Sequence, residues 1–281
     1  SNKREVLIDY LLGQPGYASH MYNYWADTLR IVDRSTGNTY IRPWADWIKE
    51  SLRDNIPYDK FVRQMLSAEG KVWHSPATGY KLRDIGMPLD NLNNTTRIFL
   101  GTRIGCAQCH DHPFDRWSQK QFYEMAAFTH GVGDARRKKG TENLATFNKL
   151  VREEQKEDQK LRNVARGIRD IIQFGVDDPG KGKIRLPKDY QYDNAKPNDE
   201  LEARTIFGLA IELDENLKEI GSREAYANWL ASDANPRFTT VIANRLWKQV
   251  MGIGLIEPVD NMMDDTTPTN PELLQYLDKL R

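Results

Sequence analysis

Hydrophobic residues recur at intervals of three and four along most of the chain, the spacing that places side chains on one face of an α-helix. Four such stripes occupy the first 70 residues, and Gly13, Pro57 and Gly70 punctuate them as helix boundaries. We expect all four helices to face a core. The stripes comprise Val6, Leu7, Tyr10 and Leu11; Tyr17, Met21, Trp25 and Leu29; Trp44, Trp47, Ile48 and Leu52; and Phe61, Val62, Met65 and Leu66.

Helical spacing returns further along the chain. Asn93 or Asn94 is predicted to cap a helix that runs to Ile104, and a shorter helix is predicted over residues 119–129. Ser222 and Pro236 are predicted to open two more, the second ending at Gly252. Short strands are expected only within residues 176–199, around Ile184 and Tyr190. The pattern predicts a mainly α protein, an irregular helical bundle with a few short strands.

Changes in composition divide the chain into three predicted parts. Residues 1–140 form a helical domain, residues 141–198 a charged helix followed by an irregular connector, and residues 199–281 a second helical domain. The 40 basic and 40 acidic residues give zero net charge, which argues against a uniformly basic surface for nucleic acid. A mean hydropathy of -0.70 and the lack of a long apolar run predict no transmembrane segment in this sequence.

The two cysteines of the chain lie together in the sequence Cys106-Ala107-Gln108-Cys109-His110. Covalent haem attachment needs two thiols that reach the two vinyl groups of one porphyrin, and an adjacent imidazole that ligates the iron. The spacing of Cys106, Cys109 and His110 meets both requirements. The sequence therefore predicts a loop that carries covalent haem c, with His110 as one axial ligand.

Residues around this motif could complete the site. Arg103 and Arg116 could pair with haem propionates, and Phe99 and Phe114 could supply apolar walls. Gly101 and Gly105 would let a flat ring or another helix approach closely. Asp111 and Asp115 are expected to order the loop. A sixth iron ligand is not specified, and an open sixth position is equally compatible. The weak candidates for that ligand are Met87, Met125 and His130.

Two other interpretations of the motif remain. Cys106, Cys109, His110 and His112 could hold zinc in a compact structural site, although adjacent ligands strain tetrahedral geometry. A thiol–disulfide active site is the third interpretation, but it lacks the βαβ pattern typical of such sites. In either case the chain would be a non-haem structural or interaction module.

Long segments of the chain also resemble known families. Residues 96–105 and the following CAQCHDHPFDRW are similar to the planctomycete cytochrome-type domain DUF1549, and the C-terminal part resembles the start of its companion, DUF1553. Further DUF1549-like segments are residues 24–27 and 56–61; the DUF1553-like segments are residues 235–238, 243–247, 254–260 and 270–274.

The resemblance implies an exported bacterial protein, periplasmic or secreted, with Cys106, Cys109 and His110 as haem-attachment residues. Together with the motif it favours electron transfer or haem-based redox chemistry. The expected partners are a redox protein or further domains of the same polypeptide. The sequence does not establish a catalytic set, so enzymatic activity stays open.

Overall fold

The computed structural model of the chain describes residues 2–32, 34–35, 39–130, 133–134, 149, 160, 163–164, 175–178, 183–207, 222–233 and 235–280. Helices dominate these ranges, which confirms the mainly α class. They are α1 (Lys3–Leu12), α2 (Pro15–Thr28), α3 (Arg42–Arg53), α4 (Tyr58–Ser67), α5 (Gly79–Leu82), α6 (Pro88–Phe99), α7 (Gln119–Ala126), α8 (Ser222–Leu230), α9 (Phe238–Met251) and α10 (Pro271–Asp278). None of the helices described here is both long and apolar enough to cross a lipid bilayer.

Short antiparallel strands accompany the helices. Strands β1 (Arg34–Ser35) and β2 (Thr39–Tyr40) form one pair, and β5 (Gly175–Asp177) lies between β3 (Gly70–Lys71) and β4 (Gly133–Asp134). Strands β6 (Lys183–Arg185) and β7 (Glu200–Glu202) form a third sheet, with Ile184 opposite Leu201. The strand expected at Ile184 is therefore present, whereas Tyr190 lies in the connection between β6 and β7.

Contacts divide the chain into two compact units, each built from two stretches of sequence. The first comprises residues 1–86 and 133–178, and the second comprises residues 87–132 and 179–281. These units do not follow the three predicted domains, whose boundaries stay a prediction. The predicted helix of residues 141–175 lies almost entirely outside the described residues.

Aromatic side chains form the core of the first unit. Trp44 of α3 is fully buried against α5. Trp47, on the same helix, stacks on Phe61 with ring centroids 5.2 Å apart. A Cβ atom on Gly79 would lie 2.2 Å from the Cβ of Trp44, so only glycine lets α5 approach this closely. The predicted core-facing stripes of α2, α3 and α4 are confirmed, because each of these helices buries hydrophobic side chains.

The same prediction is wrong for α1. This helix has no buried residue, and Val6, Leu7, Tyr10 and Leu11 are all more than half exposed. Ile8 and Leu12 of the same helix, which lie outside the predicted stripe, are exposed as well. The spacing of apolar residues predicted the helix correctly, but it could not show that the described residues leave its apolar side chains exposed.

A loop after α9 anchors the second unit. Asn244 is fully buried, and its side chain donates to the Ile256 carbonyl at 2.8 Å. Its oxygen accepts the backbone N–H groups of Leu255 at 2.7 Å and Ile256 at 3.0 Å. These bonds satisfy polar groups beside a hydrophobic cluster, as buried amides require. The cluster comprises Val241, Leu255, Ile256, Met262 and Leu274.

Helix α6 ends earlier than its hydrophobic pattern predicts. It begins at Pro88 and ends at Phe99, and Gly101 then adopts a left-handed φ of 56°. The prediction of a helix through Ile104 is therefore wrong, and Gly101 and Gly105 do not share a helix face. The Gly101 carbonyl accepts the backbone N–H of Met262 at 2.6 Å, and a Cβ there would lie 2.9 Å from Cγ2 of Val241. Gly101 accommodates close protein packing at this point.

Gly101→Ala should lower the free energy of unfolding by about 3 kcal/mol, because a left-handed alanine costs about 1 kcal/mol and overpacking about 2 kcal/mol. Gly252→Ala is the matched control, since Gly252 belongs to the same unit and has φ 85° with nothing within 4 Å of where an added Cβ would lie. It should lose only about 1 kcal/mol. Urea unfolding followed by tryptophan fluorescence measures both, and equal losses would contradict the packing described around Gly101.

Candidate metal centre

The cysteine motif forms a tight turn at the protein surface. Residues Gly105–Gln108 make one turn of 3-10 helix, and the backbone N–H groups of Cys109 and His110 both donate to the Cys106 carbonyl, at 3.2 and 3.3 Å. Both cysteines are exposed, and neither forms a disulfide. A Cβ on Gly105 would lie within 3.1 Å of three atoms of the Asn93 side chain, so glycine lets the turn lie against α6. The turn therefore presents two free thiols and an imidazole from five consecutive residues.

A hydrogen bond sets the tautomer of His110. Its Nδ1 atom lies 2.7 Å from the carbonyl oxygen of Asp111. A carbonyl can only accept, so Nδ1 carries the hydrogen and donates it, which leaves the lone pair of the neutral ring on Nε2. Metal-bound histidines commonly use one ring nitrogen for the metal and the other for such a bond. His110 is exposed and has the donor atom that an axial ligand needs.

Three hydrogen bonds hold the loop that follows His110. The Asp111 carboxylate accepts the backbone N–H of Gln119 at 2.7 Å, and the side-chain amide of Gln119 donates to the Gln108 carbonyl at 3.2 Å. The backbone N–H of Asp111 donates to the hydroxyl of Tyr192 at 2.7 Å. Asp111 thus orders the loop as expected. Sequence reasoning missed Gln119 and Tyr192, because Tyr192 is 81 residues from its partner and no local pattern signals such a contact.

His112 is oriented by the loop backbone. Its Nδ1 accepts the backbone N–H of Phe114 at 3.3 Å, and its own backbone N–H donates to the Trp117 carbonyl at 2.8 Å. Within the described part of the chain, which includes the whole motif, no three His, Cys, Asp or Glu side chains converge as a metal-binding group. The compact zinc site stays a prediction.

The structure gives Arg103 a partner that the sequence did not predict. Its guanidinium lies 2.7 Å from one oxygen of Asp260, and Arg97 binds the other oxygen of the same carboxylate. The guanidinium of Arg245 donates to the carbonyls of Arg97 and Ile98, both at 3.1 Å, at the C-terminal end of α6. Contact between Arg103 and a haem stays a prediction, but in this structure the side chain ties the approach to the motif to Asp260.

The other predicted site residues are spread over different environments. Phe114 is 81% exposed, so among the described residues it does not form part of an enclosed apolar wall. Met125 is fully buried in α7, Met87 precedes the first turn of α6, and His130 is exposed beyond α7. Their roles as a sixth ligand stay predictions. Burial raises the pKa of Tyr123 in α7, and nearby Cys109 raises it further.

Two protein-family models match the chain, one over its N-terminal part and one over its C-terminal part. Residues 1–134 match PSCyt2, described as a protein of unknown function (DUF1549), and residues 222–280 match PSD1, described as a protein of unknown function (DUF1553). The two matches follow the order that the motifs predicted, a DUF1549 segment and then DUF1553 sequence. The name PSCyt2 hints at a cytochrome-like domain. Neither the curated proteins nor the solved structures contain a match to this chain.

The ion pairs of Asp260 should make stability depend on pH. Burial alone would raise the pKa of this carboxyl, but hydrogen bonds from Arg103 and Arg97 outweigh it and lower the pKa. A lowered folded-state pKa adds stability above the unfolded pKa of about 4, and that stability is lost as pH falls through the folded value. Asp260→Asn should therefore cost on the order of 1 kcal/mol near neutral pH and almost nothing once the pH has fallen below the lowered folded-state pKa.

Denaturant unfolding of wild type and variant at several pH values measures this difference. Asp265→Asn is the matched control, because Asp265 is exposed in the same unit and no described residue forms an ion pair with it. Its effect should be small at every pH. A deficit of Asp260→Asn that stays constant down to the lowest pH would refute the electrostatic role of Asp260.

Proposed function

We propose that the chain carries one covalently attached haem c at the Cys106–His110 turn and serves in electron transfer or haem-based redox chemistry. The observation that supports this most directly is the 2.7 Å distance from Nδ1 of His110 to the Asp111 carbonyl oxygen, which assigns the hydrogen to Nδ1 and leaves Nε2 as the atom that would bind a metal. Exposed, free thiols on the same turn offer the two sulfur atoms that covalent attachment requires.

The thiols of Cys106 and Cys109 would form the covalent bonds. Each thiol would add across one vinyl group, so that sulfur would bond to one vinyl carbon and the thiol hydrogen would pass to the other. The reaction needs free thiols that a bulky ring can reach, and the exposure of both cysteines meets this need. No oxidant or reductant is consumed.

The residues around the turn would fix the iron ligand. Asp111 accepts the Nδ1 hydrogen of His110 through its carbonyl, and this bond orients the ring and leaves Nε2 as the atom that would bind iron. Tyr192 and Gln119 hold Asp111 in place through its backbone N–H and its carboxylate. A bound haem supplies one-electron chemistry, whose potential depends on its axial ligands, burial and hydrogen bonding.

We further propose where the protein is located and with which partners it exchanges electrons. Haem c chemistry together with the DUF1549 family favours a periplasmic or secreted protein. Electrons would pass to a redox partner protein or to further domains of the same polypeptide, of which the DUF1553 sequence is one.

The direct test produces the chain in a bacterial host that exports proteins and attaches haem c. The purified protein should show a sharp α-band when reduced and retain haem on a denaturing gel. The double variant Cys106→Ala/Cys109→Ala should lose haem from the gel, because no sulfur remains to bond the porphyrin. His110→Ala should alter the absorption spectrum through loss of the axial nitrogen.

His112→Ala is the matched control, since this neighbouring histidine bonds only the loop backbone among the described residues. It should keep the covalent haem and the position of the α-band. A protein that contains stoichiometric zinc and no iron would support the structural-module alternative instead. A wild-type protein without haem or α-band in such a host would overturn the proposal.

A further inference from the structure

A cavity of about 470 Å³ lies beside α7, within the second unit. Its size falls in the range of small-molecule sites. Gln119 of α7 contacts the motif loop, whereas Lys120, Gln121 and Glu124 of the same helix line the cavity. The cavity is thus distinct from the haem-attachment turn. The lining residues are completed by Ser118, Asn194, Arg204, Thr205 and Ile206.

Polar side chains dominate the lining, with Ile206 as the one aliphatic member among the residues described there. Hydroxyl, amide and charged groups offer both donors and acceptors of hydrogen bonds. Apolar ligands gain little from such a surface, because they would leave its polar groups without partners. The chemistry of the lining suits a molecule that is itself rich in hydroxyl groups.

The charges of the lining sum to one positive charge. Lys120 and Arg204 contribute two cations and Glu124 one anion, and Lys120 lies 3.8 Å from Glu124. None of the described residues pairs a carboxylate with Arg204, whose exposed guanidinium therefore keeps its charge uncompensated within that part of the chain. A guanidinium binds a carboxylate through two parallel hydrogen bonds.

Several hydrogen bonds fix the cavity walls before any ligand binds. Ser118 and Gln121 form a reciprocal capping box at the start of α7. The backbone N–H of Arg204 donates to the Glu124 carbonyl at 3.1 Å, which joins the segment after β7 to α7. The hydroxyl of Tyr190 donates to the side-chain oxygen of Asn194. A site held in this way loses little entropy when a ligand binds.

We propose that this cavity binds a small polyhydroxylated organic acid with one negative charge, of the sugar-acid class. The carboxylate pairs with Arg204, and the hydroxyl groups bond the amide and hydroxyl side chains of the lining. The cavity is far larger than one inorganic oxyanion needs, so the hydroxylated body of the ligand contributes to binding. This site does not depend on haem attachment.

Isothermal titration of the 281-residue chain with D-glucuronate tests the proposal, with and without haem attached. Saturable binding with a Kd of about 1 mM or tighter is expected. D-glucose, which lacks the carboxylate, should bind at least about tenfold more weakly, because it forfeits a charge-assisted pair. Inorganic sulfate should also bind more weakly, since it lacks the hydroxyl groups.

Two variants test the electrostatics in opposite directions. Arg204→Gln should weaken glucuronate binding about tenfold, whereas Glu124→Gln should strengthen it by removing the one acid of the lining. Arg185→Gln is the matched control, because Arg185 is an exposed arginine of β6 outside the lining. It should leave the affinity unchanged.

Absence of saturable glucuronate binding would overturn the proposal, as would equal losses of affinity in Arg204→Gln and Arg185→Gln. Equal affinities for glucose and glucuronate would refute the charge requirement. Sulfate that binds as tightly as glucuronate would reduce the cavity to a nonspecific anion site. Loss of haem attachment leaves each of these outcomes unaffected, so the two proposals can fail separately.

Discussion

The close approach at Gly101 determines where the loop that carries Cys106, Cys109 and His110 begins. A left-handed residue ends α6, and its carbonyl binds the N–H of Met262 while Val241 and Met262 occupy the space of a missing side chain. Arg245 satisfies carbonyls at the end of the same helix, groups that would otherwise lack partners. The path of the chain into Cys106 is thus fixed by Val241, Arg245 and Met262, which lie more than 130 residues later in the sequence.

This arrangement gives the DUF1553 sequence a physical role in the second unit. Met262, Asp260 and Arg245 all lie within residues 222–280, and all three contact the segment that leads to the cysteines. Helix α7 then serves two sides at once, since Gln119 holds the motif loop and Glu124 lines the polar cavity. Because both residues belong to one helix, the motif loop and the cavity keep a fixed position relative to each other.

Local patterns in the sequence were sufficient to predict where most helices lie, but not which of their side chains are buried or where distant contacts end a helix. Apolar spacing, Pro57 and Gly252 predicted α4 and α9, because these signals act within one turn of helix. The predicted end of α6 was wrong, since Ile104 continues the apolar spacing and the glycine turn depends on distant packing. The predicted burial of α1 was wrong for a related reason: periodicity reports which side chains are apolar, and burial depends on what else the chain places beside them.

The same difference between local patterns and distant contacts holds for the candidate site. The roles of Cys106, Cys109 and His110 stay predictions that rest on their spacing, whereas the loop contact of Asp111 could be predicted because Asp111 lies beside them. The bond from Asp111 to Tyr192 and the pairing of Arg103 with Asp260 could not, because they join residues 81 and 157 positions apart.

Intact-mass spectrometry of the denatured protein from a haem-attaching, exporting host tests the central claim most directly. We predict a single species whose mass exceeds that of the polypeptide by one haem, because thioether bonds survive denaturation. A mass equal to that of the bare polypeptide would contradict the assignment of Cys106 and Cys109 as haem-attachment residues.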